Sequence, residues 1–184
     1  MAIVPDDKDW TWVLERACPE CGFDAGGFPR EQVGDLIDVN VAEWVALAGE
    51  GVERLGERPS ADRWSGLEYA CHVRDVLDVQ RGRVERALVE DRPEYVPMGR
   101  DQRVVDDRYN EQDPRAVTDQ LAANAEAIAA TFEALTPEQW ARVGVYQYPA
   151  PTERDMVWLG RHTVHEGHHH LLDVGRSLRG ARGR

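Results

Sequence analysis

The chain has 184 residues, enough for one domain with its own core and too few for two well-sized ones. Its 22 basic and 34 acidic side chains leave a net charge of −12, which argues against a phosphate-tracking nucleic-acid binder. Hydrophobic residues at 42% and charged residues at 30% fit a globular protein, and no apolar run approaches the ~20 residues of a membrane span.

Met1 to Trp10 is acidic and lacks the basic start and apolar stretch of a signal peptide, so the expected location is cytoplasmic. Residues 1–30 are broken by Pro5, Pro19, Gly22, Gly26, Gly27 and Pro29. They read as an irregular arm anchored through Trp10, Trp12, Val13 and Leu14. Within this arm Cys18-Pro19-Glu20-Cys21 forms a single CxxC. That is half of a zinc ribbon, and completing it needs Cys71, a histidine or another subunit. A redox pair and a purely structural pair are the other readings, although the strand–helix setting of a thioredoxin-like motif is missing.

A helical pattern of Val33, Leu36, Ile37, Val41, Trp44, Val45, Leu47 and Ala48 runs from Glu31 to about Glu57, and Arg58-Pro59 stops it. Ser65 with Glu68 three residues on is a capping-box signature, and predicts a second helix to about Asp91. The polar, Pro- and Gly-broken residues 93–112 imply a crossover or a loop over one end of a bundle. Asp113 as N-cap and Pro114 at the first helical position open a third helix to Leu135. Thr136-Pro137 caps a short turn at Trp140, and Val143 to Tyr148 is a candidate extended segment. A fourth helix, capped by Thr152, runs toward Leu178, and residues 180–184 form a frayed basic tail. Four long helices with almost no strand signal predict an all-α four-helix bundle over residues 31–179.

Five of the six histidines fall in the fourth helix and one, His72, in the second. His165 and His169, four apart, project as a pair one turn apart, the spacing with which two imidazoles reach one ion. Trp158, His162 and Leu172 share that side, whereas His168 and His170 diverge from it. If the second helix faces the fourth, His72 joins the pair, and three imidazoles plus an open position make a catalytic type of metal site. Asp75 or Glu166 would orient the ligands, with Glu166 itself pointing about 100° away from His165. The competing reading is a solvated histidine face with no metal.

Two segments, Trp64-Ser65-Gly66-Leu67-Glu68-Tyr69-Ala70-Cys71-His72-Val73-Arg74-Asp75-Val76 and His165-Glu166-Gly167-His168-His169-His170, resemble the DinB-like superfamily of bacterial four-helix metal-binding proteins. The resemblance implies an antiparallel bundle with a long crossover connection, and divalent-metal ligands at His72, His165 and His169. It implies zinc, or else nickel, as the metal. Relatives such as mycothiol-dependent maleylpyruvate isomerase and bacillithiol S-transferases imply a small-molecule thiol of the mycothiol type as cosubstrate and an electrophile as its partner. The reaction would be a transfer or isomerisation, the metal favouring thiolate over thiol. Arg161 and Arg176, flanking the histidines, would hold a carboxylate of the thiol cofactor, or else form helix-surface ion pairs. Tyr109 and Asn110 would line the site mouth or cap helix ends. A metal-dependent hydrolase and a non-catalytic, metal-stabilised binding module are the alternatives, the latter docking as a homodimer through exposed bundle faces.

Overall fold

The structure is a computed structural model that describes residues 11–182. Trp10, expected to anchor the arm, lies outside the described residues. The long helices are α1 (Val33–Gly51), α2 (Gly66–Val89), α4 (Pro114–Glu133) and α6 (Met156–Arg182), with short α3 (Arg100–Asp106) and α5 (Pro137–Trp140) between them. No described helix is long and apolar enough to cross a membrane.

Local chemistry sets the starts of these helices. The Ser65 hydroxyl accepts from the Glu68 amide, and the Glu68 carboxylate accepts from the Ser65 amide, closing the expected capping box. The Arg58 guanidinium pairs with the buried Glu68 and ties the preceding loop to this cap. Asp113 accepts from the amides of Arg115 and Ala116, with Pro114 in the first turn. Thr136 and Gln139 form a second capping box at α5.

Each long helix packs against two others: α2 against α4 and α6, and α1 against α4 and α6. The sequence neighbours α1 and α2 are therefore diagonal, as are α4 and α6. Asn40 and Trp44 of α1 donate to the carbonyls of Val164 and Gly167, so α1 and α6 advance together. Arg74 reaches Gln120 near the start of α4, while Arg142, just past its end, reaches the Ala87 carbonyl, so α2 and α4 also run together. Two helices thus run each way. Residues 90–113 must return from the end of α2 to its beginning, which is the long crossover the sequence implied. Its last turn is fixed there by Tyr109, which donates to Asp75, and by Asn110, which donates to the Gly56 carbonyl.

The segment before α6 departs from expectation. Val143–Tyr146 (β1) pairs antiparallel with Thr152–Asp155 (β2), so Thr152 is a strand residue and not a helix cap. The cap is Asp155, whose carboxylate accepts from the Trp158 amide. The hairpin is locked to the crossover through Tyr95, whose amide donates to the Val145 carbonyl. Its ring lies so close over Gly144 that a Cβ there would stand 2.2 Å away.

The core lies along the bundle axis and includes Ile37, Leu67, Leu77, Leu121, Ile128, Phe132 and Leu159. The arm of residues 11–32 has only 3-10 turns, and Val13, Cys18, Phe23 and Ala25 are its buried residues.

Candidate metal centre

Between α2 and α6 a cleft of about 1050 Å³ opens to solvent. The crossover contributes Pro97–Gln102 to its wall, the hairpin Tyr146 and Tyr148, and the arm Thr11 and Glu20. His72, His162, His165, Glu166, His169, His170 and Asp173 all line it.

These side chains fall into two donor groups. In the first, His72 of α2 meets Glu166 and His170 of α6, their ligand atoms all within 4.8 Å of one another. In the second, His165 and His169 meet Cys18 and Cys21 of the arm, again within 4.8 Å. The sequence expectation joined His72 to His165 and His169 in one triad. The structure brings all three to one cleft but assembles them with different partners. Glu166, expected to point away, faces His72. His170, expected to diverge, completes the group with it.

In the first group, Glu166 Oε2 lies 3.6 Å from His72 Nε2 and 3.4 Å from His170 Nε2. Donors bound at about 2.0–2.2 Å in a tetrahedron stand about 3.3–3.6 Å apart, so the carboxylate already has the separation from each imidazole that one ion requires. Two imidazole nitrogens and a carboxylate oxygen suit zinc or another first-row divalent ion.

Supporting bonds orient each donor. Asp173 Oδ2 accepts from His170 Nδ1 at 3.0 Å, leaving Nε2 toward Glu166. Arg83 donates to Gln80 Oε1 at 3.1 Å, which fixes that amide, so Gln80 Nε2 donates to His162 Nδ1 at 3.0 Å. His162 is then the Nε2–H tautomer, and that proton faces Glu166 Oε1 3.5 Å away. The Trp158 ring stacks on His162 with centroids 4.9 Å apart and holds its plane. Among the described residues, His72 Nδ1 is buried with no hydrogen-bond partner.

The electrostatics follow from this packing. Burial opposes charge on Glu166, but bonding to His170 and His72 outweighs it and holds the carboxyl well below its usual range. Burial likewise opposes charge on His170, and its contacts to Asp173 and Glu166 reverse the effect, raising it to about 9. For His72 and His162 burial wins and both are pushed toward the neutral, metal-binding form. Burial also pushes His165 down to about 3 and lowers His169.

The remaining expected residues are not among those that line the cleft. Arg161 donates to the Phe28 carbonyl and lies over the Phe28 ring. Arg176 pairs with Glu20 and Asp173. Asp75 binds Tyr109, Arg74 and Arg103 and does not reach the donors. The arginines that line the cleft are Arg63, Arg83 and Arg100, which the sequence reading did not single out. Spacing carried a usable signal for the residues the sequence reading passed over: His162, Glu166, His170 and Asp173 recur at four- and three-residue steps along one face of α6.

The DinB superfamily profile matches residues 22–174. The chain belongs to the DinB superfamily. One solved structure similar to this DinB chain is YfiT from Bacillus subtilis, described as a "probable metal-dependent hydrolase with an unusual four-helix bundle topology". It aligns at TM-score 0.69 and 17% identity over 80% of this chain and 86% of that one. Mycothiol-dependent maleylpyruvate isomerase aligns at TM-score 0.67 and 13% identity, over 82% of this chain and 62% of its own. At such identities the likeness is one of fold. No curated protein sequence matches the chain.

Proposed function

We propose that this DinB protein is a metal-dependent enzyme in which His72, Glu166 and His170 hold a divalent ion, zinc by donor type, at the floor of the cleft. The carrying observation is that Glu166 Oε2 lies 3.4–3.6 Å from both His72 Nε2 and His170 Nε2, with all three donors within 4.8 Å of one another beside an open cleft. A divalent ion there supplies a positive charge that lowers the pKa of a thiol or water bound to it.

The substrate class we propose is a small thiol of the mycothiol type, acting on an electrophile by transfer or isomerisation. Trp64, Tyr69, Tyr146 and Tyr148 give the cleft aromatic walls, and Arg63, Arg83 and Arg100 give it positive charge for a polar or anionic cosubstrate. Gln80 fixes the His162 ring that faces Glu166, and Asp173 orients His170, so the cleft side of α6 is ordered by the protein's own bonds. All three cysteines are free thiols, which suits a reducing, cytoplasmic compartment. Hydrolysis is the second reading, because Glu166, with the His162 proton facing it, is also placed to orient a water.

Metal content measured by mass spectrometry, for the wild type and for His72→Ala and His170→Ala, tests the ligand assignment. Loss of one equivalent in each variant is expected, and full retention in both would overturn it. Assaying loss of a reactive electrophile with mycothiol, with glutathione and with no thiol tests the chemistry. Thiol-dependent turnover supports the transferase or isomerase reading. Turnover in water alone assigns a hydrolase, and none with metal bound assigns a binding module.

A further inference from the structure

We propose that Cys18, Cys21, His165 and His169 form a second metal site, a closed thiolate–imidazole site of the structural zinc type, that fastens the N-terminal arm to α6. It stands whether or not the His72 group is catalytic.

The donor grammar is Cys-x2-Cys followed by His-x3-His, the spacing of Cys2His2 zinc sites. Here 143 residues separate the two halves, so tertiary folding rather than a short loop must bring them together. It does so: the four ligand atoms lie within 4.8 Å of one another, and Cys18 Sγ is 3.7 Å from His169 Nδ1. With zinc–sulfur bonds of about 2.3 Å and zinc–nitrogen bonds of about 2.0 Å, tetrahedral donors stand about 3.3–3.8 Å apart. The Cys18–His169 edge already has that length, and the others need only a small contraction. Cys18, His165 and His169 are buried and Cys21 is half-buried, so little of the set is exposed although the two histidines also border the cleft.

The loop that carries the cysteines is shaped for this arrangement. The Gly22 amide donates to the Cys18 carbonyl and the Cys18 amide to the Phe23 carbonyl, both at 2.8 Å, which closes a tight turn. Gly22 sits at φ +77°, a conformation that residues with a Cβ rarely adopt. The turn brings both sulfurs to the side that faces His165 and His169. His168, between the two ligand histidines, donates from Nε2 to the Cys21 carbonyl at 3.1 Å. The Phe23 ring packs on His165 with centroids 5.2 Å apart, and Arg176 reaches Glu20 at 3.1 Å. The helix face and the turn thus fit each other around the donor set.

The two donor groups on α6 differ in the way structural and catalytic zinc sites differ. The His72 group has three protein donors and an open cleft, whereas the cysteine group has four donors and needs no further ligand. On binding Zn²⁺ each thiol releases its proton to solvent, and no oxidant or reductant takes part. The arm has only 3-10 turns of regular structure, so a four-bond anchor would add to the Arg176–Glu20 pair in holding Glu20 as part of the cleft wall.

The test is metal content and cobalt substitution on the full chain. Wild type purified with zinc should carry about two equivalents, His72→Ala one, and Cys18→Ser/Cys21→Ser one. Cobalt-loaded His72→Ala should show thiolate-to-cobalt charge-transfer absorption, retained when Cys71→Ala is added and lost in Cys18→Ser/Cys21→Ser. The retained signal is read in chains with both loop cysteines intact, so it decides the matter even if the double serine variant fails to fold. Removing zinc with a strong chelator should speed proteolysis within residues 15–30 at least ~10-fold, in keeping with local opening of an arm whose regular structure is only 3-10 turns. The proposal is overturned if the cobalt protein shows no thiolate absorption. A metal content unchanged by the double substitution, or a Cys18–Cys21 disulfide in place of metal in freshly purified protein, would overturn it too.

Discussion

Two faces of one helix carry donor groups offset by a single residue, His165 with His169 and Glu166 with His170. Toward α2, the donors are held by the fold's own bonds: Asp173 fixes His170, and Arg83, Gln80 and His162 form a chain ending at Glu166. Toward the arm, two donors are anchored on the same rigid helix, but the other two sit in a turn with little secondary structure around it. The first face is built before any ligand arrives and opens on a cleft. The second face is the one that a ligand completes. Neighbouring positions on a helix therefore serve opposite purposes, because 100° of rotation separates a packed interhelical surface from a surface covered by a loop.

The largest expected effect breaks this comparison most directly. Glu166→Gln should weaken metal binding at the His72 group by well over the ~10–100-fold typical of a residue that only orients a ligand, and turnover should fall with it. The cobalt–thiolate absorption of the other group should be unchanged. Titration with cobalt followed by absorbance checks both, and loss of the thiolate bands would mean that the two groups act as one centre.

A second perturbation acts on the scaffold of one face only. Glu68→Ala removes the capping-box carboxylate and leaves Arg58 without its buried partner. A cap is worth about 1 kcal/mol and a broken buried pair about 3–5. Because Arg58 is one-third exposed, about 2–3 kcal/mol of destabilisation is expected by urea denaturation. Metal release from the His72 group should quicken, since His72 sits one turn past Glu68, while the arm site should be spared.

Asp173→Asn sharpens the comparison, because Asp173 Oδ2 is 3.0 Å from His170 Nδ1 and 3.7 Å from His169 Nε2. It is the carboxylate that both faces touch. Loss of its charge should cost ~10–100-fold in metal affinity at the His72 group, where it holds the ligand tautomer. The effect on the cysteine site should be several-fold smaller, as read by competition with a zinc indicator.

How much of this was legible in the sequence depends on whether the cause is local. The starts of α2, α4 and α5 are set by hydroxyl or carboxylate caps within three residues, and Ser65, Asp113 and Thr136 stand where the pattern put them. The β1–β2 hairpin was legible only in part, because Thr152–Asp155 becomes a strand by pairing with a partner segment and not by its own pattern. The donor groups turn on rotation of α6 about its axis. Spacing shows two overlapping pairs on that helix and cannot say which one faces His72. Asn40 and Trp44 decide it from α1 by gripping the carbonyls of Val164 and Gly167, which turns Glu166 and His170 toward α2. Likewise the CxxC asked for a histidine, but only the folded path of the arm says which.

The smallest expected effect concerns the third cysteine, adjacent in sequence to a proposed ligand yet part of neither face. Cys71 is buried on the α4 side of α2's start, with its sulfur 3.7 Å from the Tyr109 carbonyl. Burial pushes its thiol up to about 12, so only about one part in 10⁴ is ionised at pH 8. The unfolded chain ionises first, near its ordinary value of 9.0, so the contribution of Cys71 to stability is constant below that pH and declines as pH rises from there toward 12. Cys71→Ala should leave both metal equivalents in place and cost only about 1–2 kcal/mol of cavity and packing energy. In alkylation followed by mass spectrometry, the native chain at pH 8 should stay unmodified at Cys71, while Cys18 and Cys21 react once zinc is chelated. Labelling of Cys71 ahead of the arm pair would mean that the start of α2 opens more readily than the arm, and would invert the contrast between the face built by the fold and the face completed by a ligand.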